Sequence, residues 1–282
     1  MRALIDGDVL LYTCAFAGQK TRYHVEYADG GAQWYDDAKS YKEFCKLKKI
    51  SPESIIVTPH VNVLEDHLVQ SIVRQRMEQI LRAVDADSYV LFFTGEGNFR
   101  YEVAKTVPYK SNRTRPKPHH YAMVYDYLLQ NYEHQVVEGI EADDGMAIEQ
   151  STSKQHTVIC SIDKDLWQTP GYHFNWMQDE GQQKFKVSPE DGNRWFMQQL
   201  LSGDPTDTIP GLKGVGPKGA ETMMLNIGSN ADRWEHVLSL YKEKEGHNWE
   251  SYLNEQGRLL WMLRSRDDFW THTKFKEAIN GQ

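Results

Sequence analysis

Nine carboxylates fall into four short clusters, each where an element of the chain begins or ends. They are Asp6 and Asp8 in LIDGDVLLY, Glu141, Asp143 and Asp144 in GIEADDGM, Asp163 and Asp165 in CSIDKDLW, and Asp204 and Asp207 in SGDPTDTIPG. The loop FFTGEGNFRYE offers Glu96 as a spare. Close carboxylates repel by roughly 4 kcal/mol per pair at an effective dielectric near 20. A fold that gathers them must raise their pKa values or bind cations. Only oxygen donors are on offer, which suits hard, octahedral Mg2+ or Mn2+. The chemistry to expect is two-metal hydrolysis of a phosphodiester.

Strands and helices must bring these acids together. Arg2–Ile5 reads as a short apolar strand running into Asp6, and residues 22–35 alternate around Asp-Gly-Gly like a β-hairpin. Leu68, Ile72, Val73, Ile80, Leu81 and Val84 recur at helical spacing over residues 66–84. Tyr89–Phe93 is then a buried strand ending at Thr94-Gly95. Gln135–Val137 is a third, and Thr157–Ile162 a fourth that ends at Asp163. Strands alternating with helices, each delivering a polar residue at its C-terminal end, predict an α/β fold. Its mostly parallel sheet would be flanked by helices, with the site along that edge. From about Trp195 helices dominate. The expected division is a nuclease-like α/β domain over 1–200 and a helical region over 201–282.

Local geometry sharpens two of the clusters. In an ideal helix Glu141 and Asp143 diverge by about 200°. They converge only if Glu141 sits just before the first turn, as Gly139 suggests, where the helix dipole favours carboxylates. Asp163 and Asp165 lie two residues apart after an apolar strand, so both can face one way. An acidic first turn or an Asx turn is ordinary by itself; the joint occurrence is not.

The segment GDPTDTIPGLKGVGPKGA (203–220) is the most specific piece. Its GxGxxG is not a dinucleotide fingerprint, because no strand precedes it and Pro217 sits inside the turn. It reads instead as a glycine hairpin between helices. The backbone N–H groups around Gly214, Gly216 and Gly219, with Lys213 and Lys218, would hold a DNA phosphate. Between residues 100 and 120 lie Arg100, Lys105, Lys110, Arg113, Arg115 and Lys117 against one acid, Glu102, with Tyr101 and Tyr109 interleaved. Basic residues with aromatics suit single-stranded DNA, although a solvated basic loop fits equally well.

Bulk properties are compatible with this. The net charge of −8 looks wrong for a nucleic-acid binder, but setting the nine acids aside leaves 31 acidic against 32 basic residues. The acidity is local, and overall charge does not exclude DNA. Cys14, Cys45 and Cys160 form no CxxC, and the apolar run Val9–Ala17 is too short for a span. Reduced thiols and a cytoplasmic location, with no membrane partner, are the expectation.

Together these motifs resemble the flap endonuclease and 5′–3′ exonuclease family, which includes the nuclease domain of bacterial DNA polymerase I and stand-alone bacteriophage exonucleases. The likeness covers residues 1–225 through LIDGDVLLY, NFRYE followed by PYKSNR, GIEADD, SIDKDLW and the glycine segment, in the family's order. It implies a PIN-like 5′-nuclease fold with a helical arch over about 99–130 and a C-terminal helix-hairpin-helix. It also implies two Mg2+ or Mn2+, K+ at the hairpin, and DNA with 5′ ends or flaps as substrate. RNA–DNA hybrids and replication proteins are further partners it suggests, in a host cytoplasm if the chain comes from a bacteriophage. By the same resemblance, Asp6, Glu141 and Asp143 look like ligands of one metal. Asp163, Asp165 and Asp207 look like ligands of the other, with Asp144 and Asp204 supporting. Lys110 and Arg113 look like the arch residues that steady the scissile phosphate. From the basic, aromatic-interleaved stretch itself, Arg100, Tyr109, Arg115 and Lys117 are further candidates for contacting DNA. The family's further acid after the strand before the arch is matched here by Gly95, so either Glu96 or Asp8 substitutes or the first metal is held more weakly.

Two rival readings remain. Asp6-x-Asp8 after a strand, a strand ending in Thr94 and a later Gly-Asp-x-x-Asp also suit a haloacid-dehalogenase-type phosphatase, with Asp6 as nucleophile and Asp8 as general acid. That reading needs a strand before Asp204. The other is a family member that binds DNA with weakened catalysis, motivated by Gly95.

Overall fold

Ala3, Leu4 and Ile5 are wholly buried, and the strand they form, β1 (Arg2–Asp6), lies at the centre of a six-stranded sheet. The computed structural model describes residues 1–114, 116–177 and 183–280. On one side of β1 lie β5 (Ser88–Thr94) and then β6 (His134–Val137). On the other lie β7 (Thr157–Cys160), β8 (Gly171–Phe174) and the edge strand β9 (Phe185–Val187). All pairings are parallel except the last. The C-terminal ends of β1, β5, β6 and β7 therefore share one edge, where the chain sends its carboxylates. The expected α/β architecture with a mostly parallel sheet is what the chain adopts.

The chain divides into two compact units. The first comprises Met1–Val9, Glu78–Arg115 and Tyr132–Gln282, and the second Leu10–Met77 with Pro116–Asn131. The anticipated boundary at residue 200 does not separate them. In the first unit, sheet residues Leu4, Phe92 and Ile159 share one apolar core with Phe196, Trp234, Tyr241 and Trp270 of the C-terminal region. The helices of this C-terminal region are α7 (Pro189–Ser202), α8 (Pro217–Leu225), α9 (Asn230–Glu245), α10 (Trp249–Leu260) and α11 (His272–Asn280).

The second unit contains a separate antiparallel sheet. The hairpin expected over 22–35 is β2 (Gln19–Tyr27) and β3 (Ala32–Tyr35), but β2 also pairs along its length with β4 (Ile55–Val63). The third strand was hidden because its Thr58-Pro59-His60 stretch lacks strand-like alternation and carries a proline. Helix α2 (Ala38–Lys48) rests on one face of this sheet, and most of α3 (Asp66–Val84), at the expected residues, belongs to the same unit. Among the described residues no helix is long and apolar enough to cross a membrane, and the three cysteines are free and buried.

Candidate metal and phosphate site

The first acids follow β1 directly. Asp6 ends that strand and is nearly inaccessible. Its carboxylate accepts the Val9 N–H at 2.9 Å and the Ser161 hydroxyl at 2.6 Å. Burial, augmented by Asp8 and Asp163, pushes its pKa up to about 7 despite those donors. Asp8 opens α1 (Gly7–Ala17) and accepts the Thr94 N–H from the end of β5 at 3.1 Å. Burial raises its pKa, and Glu141 adds to the effect.

Gly139, with φ at +76°, turns the chain after β6, and Glu141 takes the N-cap position of α6 (Ala142–Thr152). That placement, just before the first turn, is what EADD required. The Thr94 hydroxyl accepts the Ala142 N–H at 2.9 Å, tying the helix start to β5. Asp143 carries a pKa raised well above the ordinary carboxylate value by burial and by Asp6, Asp163 and Glu141. Glu141 behaves oppositely: burial would raise it, but Arg100 and Lys110 hold it low.

The other acids gather around Asp163. The Asp163 N–H reaches the Ser161 hydroxyl oxygen at 3.0 Å, and the Asp165 N–H reaches the Asp163 carboxylate at 2.8 Å. Strand β7 stops at Cys160, so this Ser161 turn, rather than the strand, aims both acids. Burial raises both pKa values, with Asp204 and Asp207 adding repulsion. Asp204 is raised by burial too. Its loop is closed by paired backbone bonds of 2.8 Å between Asp204 and Ile209. A Cβ on Gly203 would lie 2.1 Å from the Ile209 carbonyl oxygen, so only glycine permits the closure that carries Asp204 and Asp207.

The acids thus form two groups, one around Asp6, Asp8, Glu141 and Asp143, the other around Asp163, Asp165, Asp204 and Asp207. Asp163 acts on both. Among the described residues no three ligand side chains converge on one point. Glu141 and Asp207 are turned to cations instead. Lys110 pairs with Glu141 and stands 3.4 Å from Asp207, while Arg113 meets Asp207 at 2.6 Å. Burial pulls the Lys110 pKa down, and the two acids more than reverse it.

Four expectations need correction. Asp144 is fully buried and spent on Arg100, which it meets with both oxygens at 2.5 and 2.9 Å. It also accepts the Glu141 and Leu263 N–H groups at 3.1 Å, leaving it no role as a metal ligand. Arg100 is equally inaccessible, with further bonds to the Leu259 and Trp261 carbonyls, so it is structural and not a DNA contact. Tyr109 is buried as well. Its hydroxyl reaches Glu141 at 3.0 Å and Asp207 at 2.7 Å, placing it inside the site rather than on a strand-stacking surface. Gly95 also departs from the expected geometry. A Cβ there would lie 2.5 Å from the Glu138 carboxylate. Glu96 is exposed, and its N–H donates to that same Glu138.

The expected helical arch is short helices with irregular chain between. After α4 (Phe99–Val103) come turns and coil, and α5 (Tyr121–Asn131) follows. Lys110 and Arg113 lie in this irregular stretch of the first unit. Lys117, in the second, covers the Tyr121 ring at 4.0 Å, and Arg115 falls outside the described residues. The glycine hairpin joins α7 to α8 as anticipated. Gly216 caps α8 with Pro217 in its first turn, and Lys213 and Lys218 are exposed. A Cβ at Gly214, Gly216 or Gly219 would meet nothing within 4 Å, so packing demands none of them, and only Gly214, with φ at +81°, is required by its backbone. Because α7 precedes Asp204, the strand that a phosphatase would need there is absent.

Ser161 and Gln199 escaped the sequence reading, and Thr94 entered it only as the end of a strand. Gln199 donates to Asp165 at 2.6 Å from α7. Ser161 alone had a local signal, since it stands two residues before Asp163.

No family model matches the chain. A thermostable DNA polymerase I of Thermus thermophilus is 26% identical over 211 residues, which are 68% of this chain and 25% of that protein. DNA polymerase I of Rhizobium leguminosarum is 34% identical over 104 residues, 32% of this chain and 10% of that one. The chain spans about a quarter or less of the length of the curated relatives it matches. Among solved structures, T5 5′-exonuclease with bound divalent metal (zinc) superposes with a TM-score of 0.54 at 15% identity. The match covers 100% of this chain and 99% of that one, a likeness of fold.

Proposed function

We propose that the chain, which is similar in sequence to DNA polymerase I and in fold to T5 5′-exonuclease, is a member of the flap endonuclease and 5′–3′ exonuclease family and a metal-dependent nuclease hydrolysing DNA phosphodiester bonds at 5′ ends or 5′ flaps. The observation that carries this reading is the pair of acid groups linked through Asp163 at the C-terminal edge of a parallel sheet. The donor chemistry fits two divalent cations, Mg2+ or Mn2+. Asp6, Glu141 and Asp143 would hold one, with Asp8 as the nearest extra acid. Asp163, Asp165 and Asp207 would hold the other, with Asp204 supporting. When bound, such ions supply an ionised water and neutralise the leaving 3′-oxygen.

The chain's own residues supply the rest. Lys110 and Arg113 carry their charge at the acids' open side and can transfer it from Glu141 and Asp207 to the scissile phosphate. Tyr109 spans Glu141 and Asp207 and keeps these two carboxylates at a fixed separation. The hairpin at 213–219 offers backbone N–H groups to a phosphate of the duplex. K+ at that hairpin, action on RNA–DNA hybrids and work beside replication proteins in the cytoplasm extend the same reading.

Cleavage of end-labelled nicked, 5′-flap and RNA–DNA substrates, with and without Mg2+, tests it. Asp163→Asn or Asp165→Asn should abolish cleavage and leave DNA binding largely intact, since a metal ligand is lost while repulsion of phosphate is relieved. Wild-type turnover in either variant would overturn the metal assignment. Hydrolysis of a small phosphate monoester without DNA cleavage would favour the phosphatase.

A further inference from the structure

Helix α2 belongs to the 20–65 segment, which the nuclease reading leaves without a task. Residues 38–50 contain five lysines, at 39, 42, 46, 48 and 49, against one acid, Glu43. In a chain with a net charge of −8, this is a local reversal of sign. Two aromatic rings of the helix dock on the sheet: Tyr41 packs 5.3 Å from Tyr23, and Phe44 lies 5.9 Å from Tyr35 and 6.0 Å from Tyr27, ring centre to ring centre, while Leu47 stays exposed. The helix is thereby anchored to the sheet of β2, β3 and β4.

Its free side is a lysine stripe. Lys39, Lys42 and Lys46 fall within about 60° of one another around the axis. Lys49, the left-handed C-cap residue with φ at +54°, extends the row. All four are exposed. Lys39 touches Glu43 at 3.8 Å, and among the described residues Lys42, Lys46 and Lys49 have no ion-pair partner. An anchored helix presenting unpaired cations is a rigid polycation, whereas a solvated face normally interleaves both signs.

We propose that this stripe is an accessory binding surface for the phosphate backbone of the DNA substrate. This rests on the nuclease reading, which supplies the polyanion. The row from Lys39 to Lys49 spans about 15 Å. That length faces about four phosphates of one strand at roughly 3.4 Å of axis each. The contact is independent of base sequence, because lysines reach phosphates and the stripe carries no base-reading side chains.

The experiment measures binding of labelled duplex and single-stranded DNA in EDTA across a salt series. The proteins compared are the wild type, Lys42→Glu/Lys46→Glu/Lys49→Glu, and Glu43→Lys. The triple variant should bind at least about ten-fold more weakly, with a salt slope shallower by about 2 to 3 units. Glu43→Lys should bind more tightly, a gain that misfolding cannot produce. Cleavage of a short 5′-ended substrate at saturation should be unchanged in both. Unaltered affinity and slope in both variants, with wild type binding DNA, would overturn this inference alone. Failure of the wild type to bind any DNA would overturn the nuclease reading and the stripe with it. Loss of binding only to anionic phospholipid vesicles would reassign the stripe to a membrane surface.

Discussion

Asp8 is the acid placed to serve where Gly95 supplies no carboxylate. Its half-buried carboxylate accepts the Thr94 N–H and feels Glu141, whereas Glu96 is exposed and a Cβ on Gly95 would meet Glu138. Asp8→Asn should therefore raise the Mg2+ concentration needed for half-maximal cleavage, and Glu96→Gln should leave it unchanged. Gly95→Asp should be neutral or harmful, because the new side chain must displace Glu138 and adds repulsion. A Mg2+ titration of the three variants decides this, and a lowered requirement in Gly95→Asp would restore the view that an acid is missing there. Asp144 poses the complementary question. Removing it strands Arg100 inside the protein, so Asp144→Ala should destabilise the metal-free chain by about 3–5 kcal/mol. Denaturant unfolding in EDTA measures it. A variant as stable as the wild type would mean that Asp144 is not structural.

At the scale of elements, the α7–α8 hairpin has the clearest test. Gly216→Asp would set an anion where a phosphate approaches, without internal clash, since nothing lies within 4 Å of its Cβ. Duplex affinity should fall, and the salt slope should shrink by about 0.9 for each phosphate that the hairpin ceases to neutralise. Thermal shifts on adding metal should persist; unchanged affinity for a long duplex would make the hairpin a mere turn. Much at this scale was legible in the sequence. β1, β5, β6 and α3 announced themselves through apolar runs or helical periodicity, and Glu141's place before α6 followed from Gly139 and simple helix geometry. What escaped depends on partners far apart in sequence. Nothing near Arg100 reveals that its partner is Asp144 or that the Leu259 and Trp261 carbonyls complete its bonds. Tyr109 likewise read as a stacking ring because Glu141 and Asp207 lie far along the chain. β4 was missed because its pairing with β2, rather than its own pattern, makes it a strand.

For the whole molecule, gathered acids should make stability depend on pH in a direction opposite to that of most salt-bridged proteins. Asp6, with a folded pKa of about 7, and Asp143, Asp163 and Asp165, all raised, bind protons more tightly folded than unfolded. Their stabilising effect is complete below the ordinary carboxylate range and is lost as pH rises through the folded values. Glu141, held low by Arg100 and Lys110 after burial is overcome, acts the other way, but its contribution is lost only at pH below the ordinary range. Between about pH 5 and 8 the raised acids therefore dominate, and the metal-free protein should melt at progressively lower temperature. Divalent cations invert this. Metal binds the deprotonated acids, so its stabilising shift should grow over the same interval as protons leave the site. Thermal unfolding at several pH values, in EDTA and in saturating Mn2+, measures both trends. Asp163→Asn removes one of the repelling charges, and should flatten the metal-free curve while diminishing the metal-induced shift. A metal-free melting temperature that climbs steadily across that same pH interval would mean that the acids are not crowded in solution, and the two-group site would fall with it.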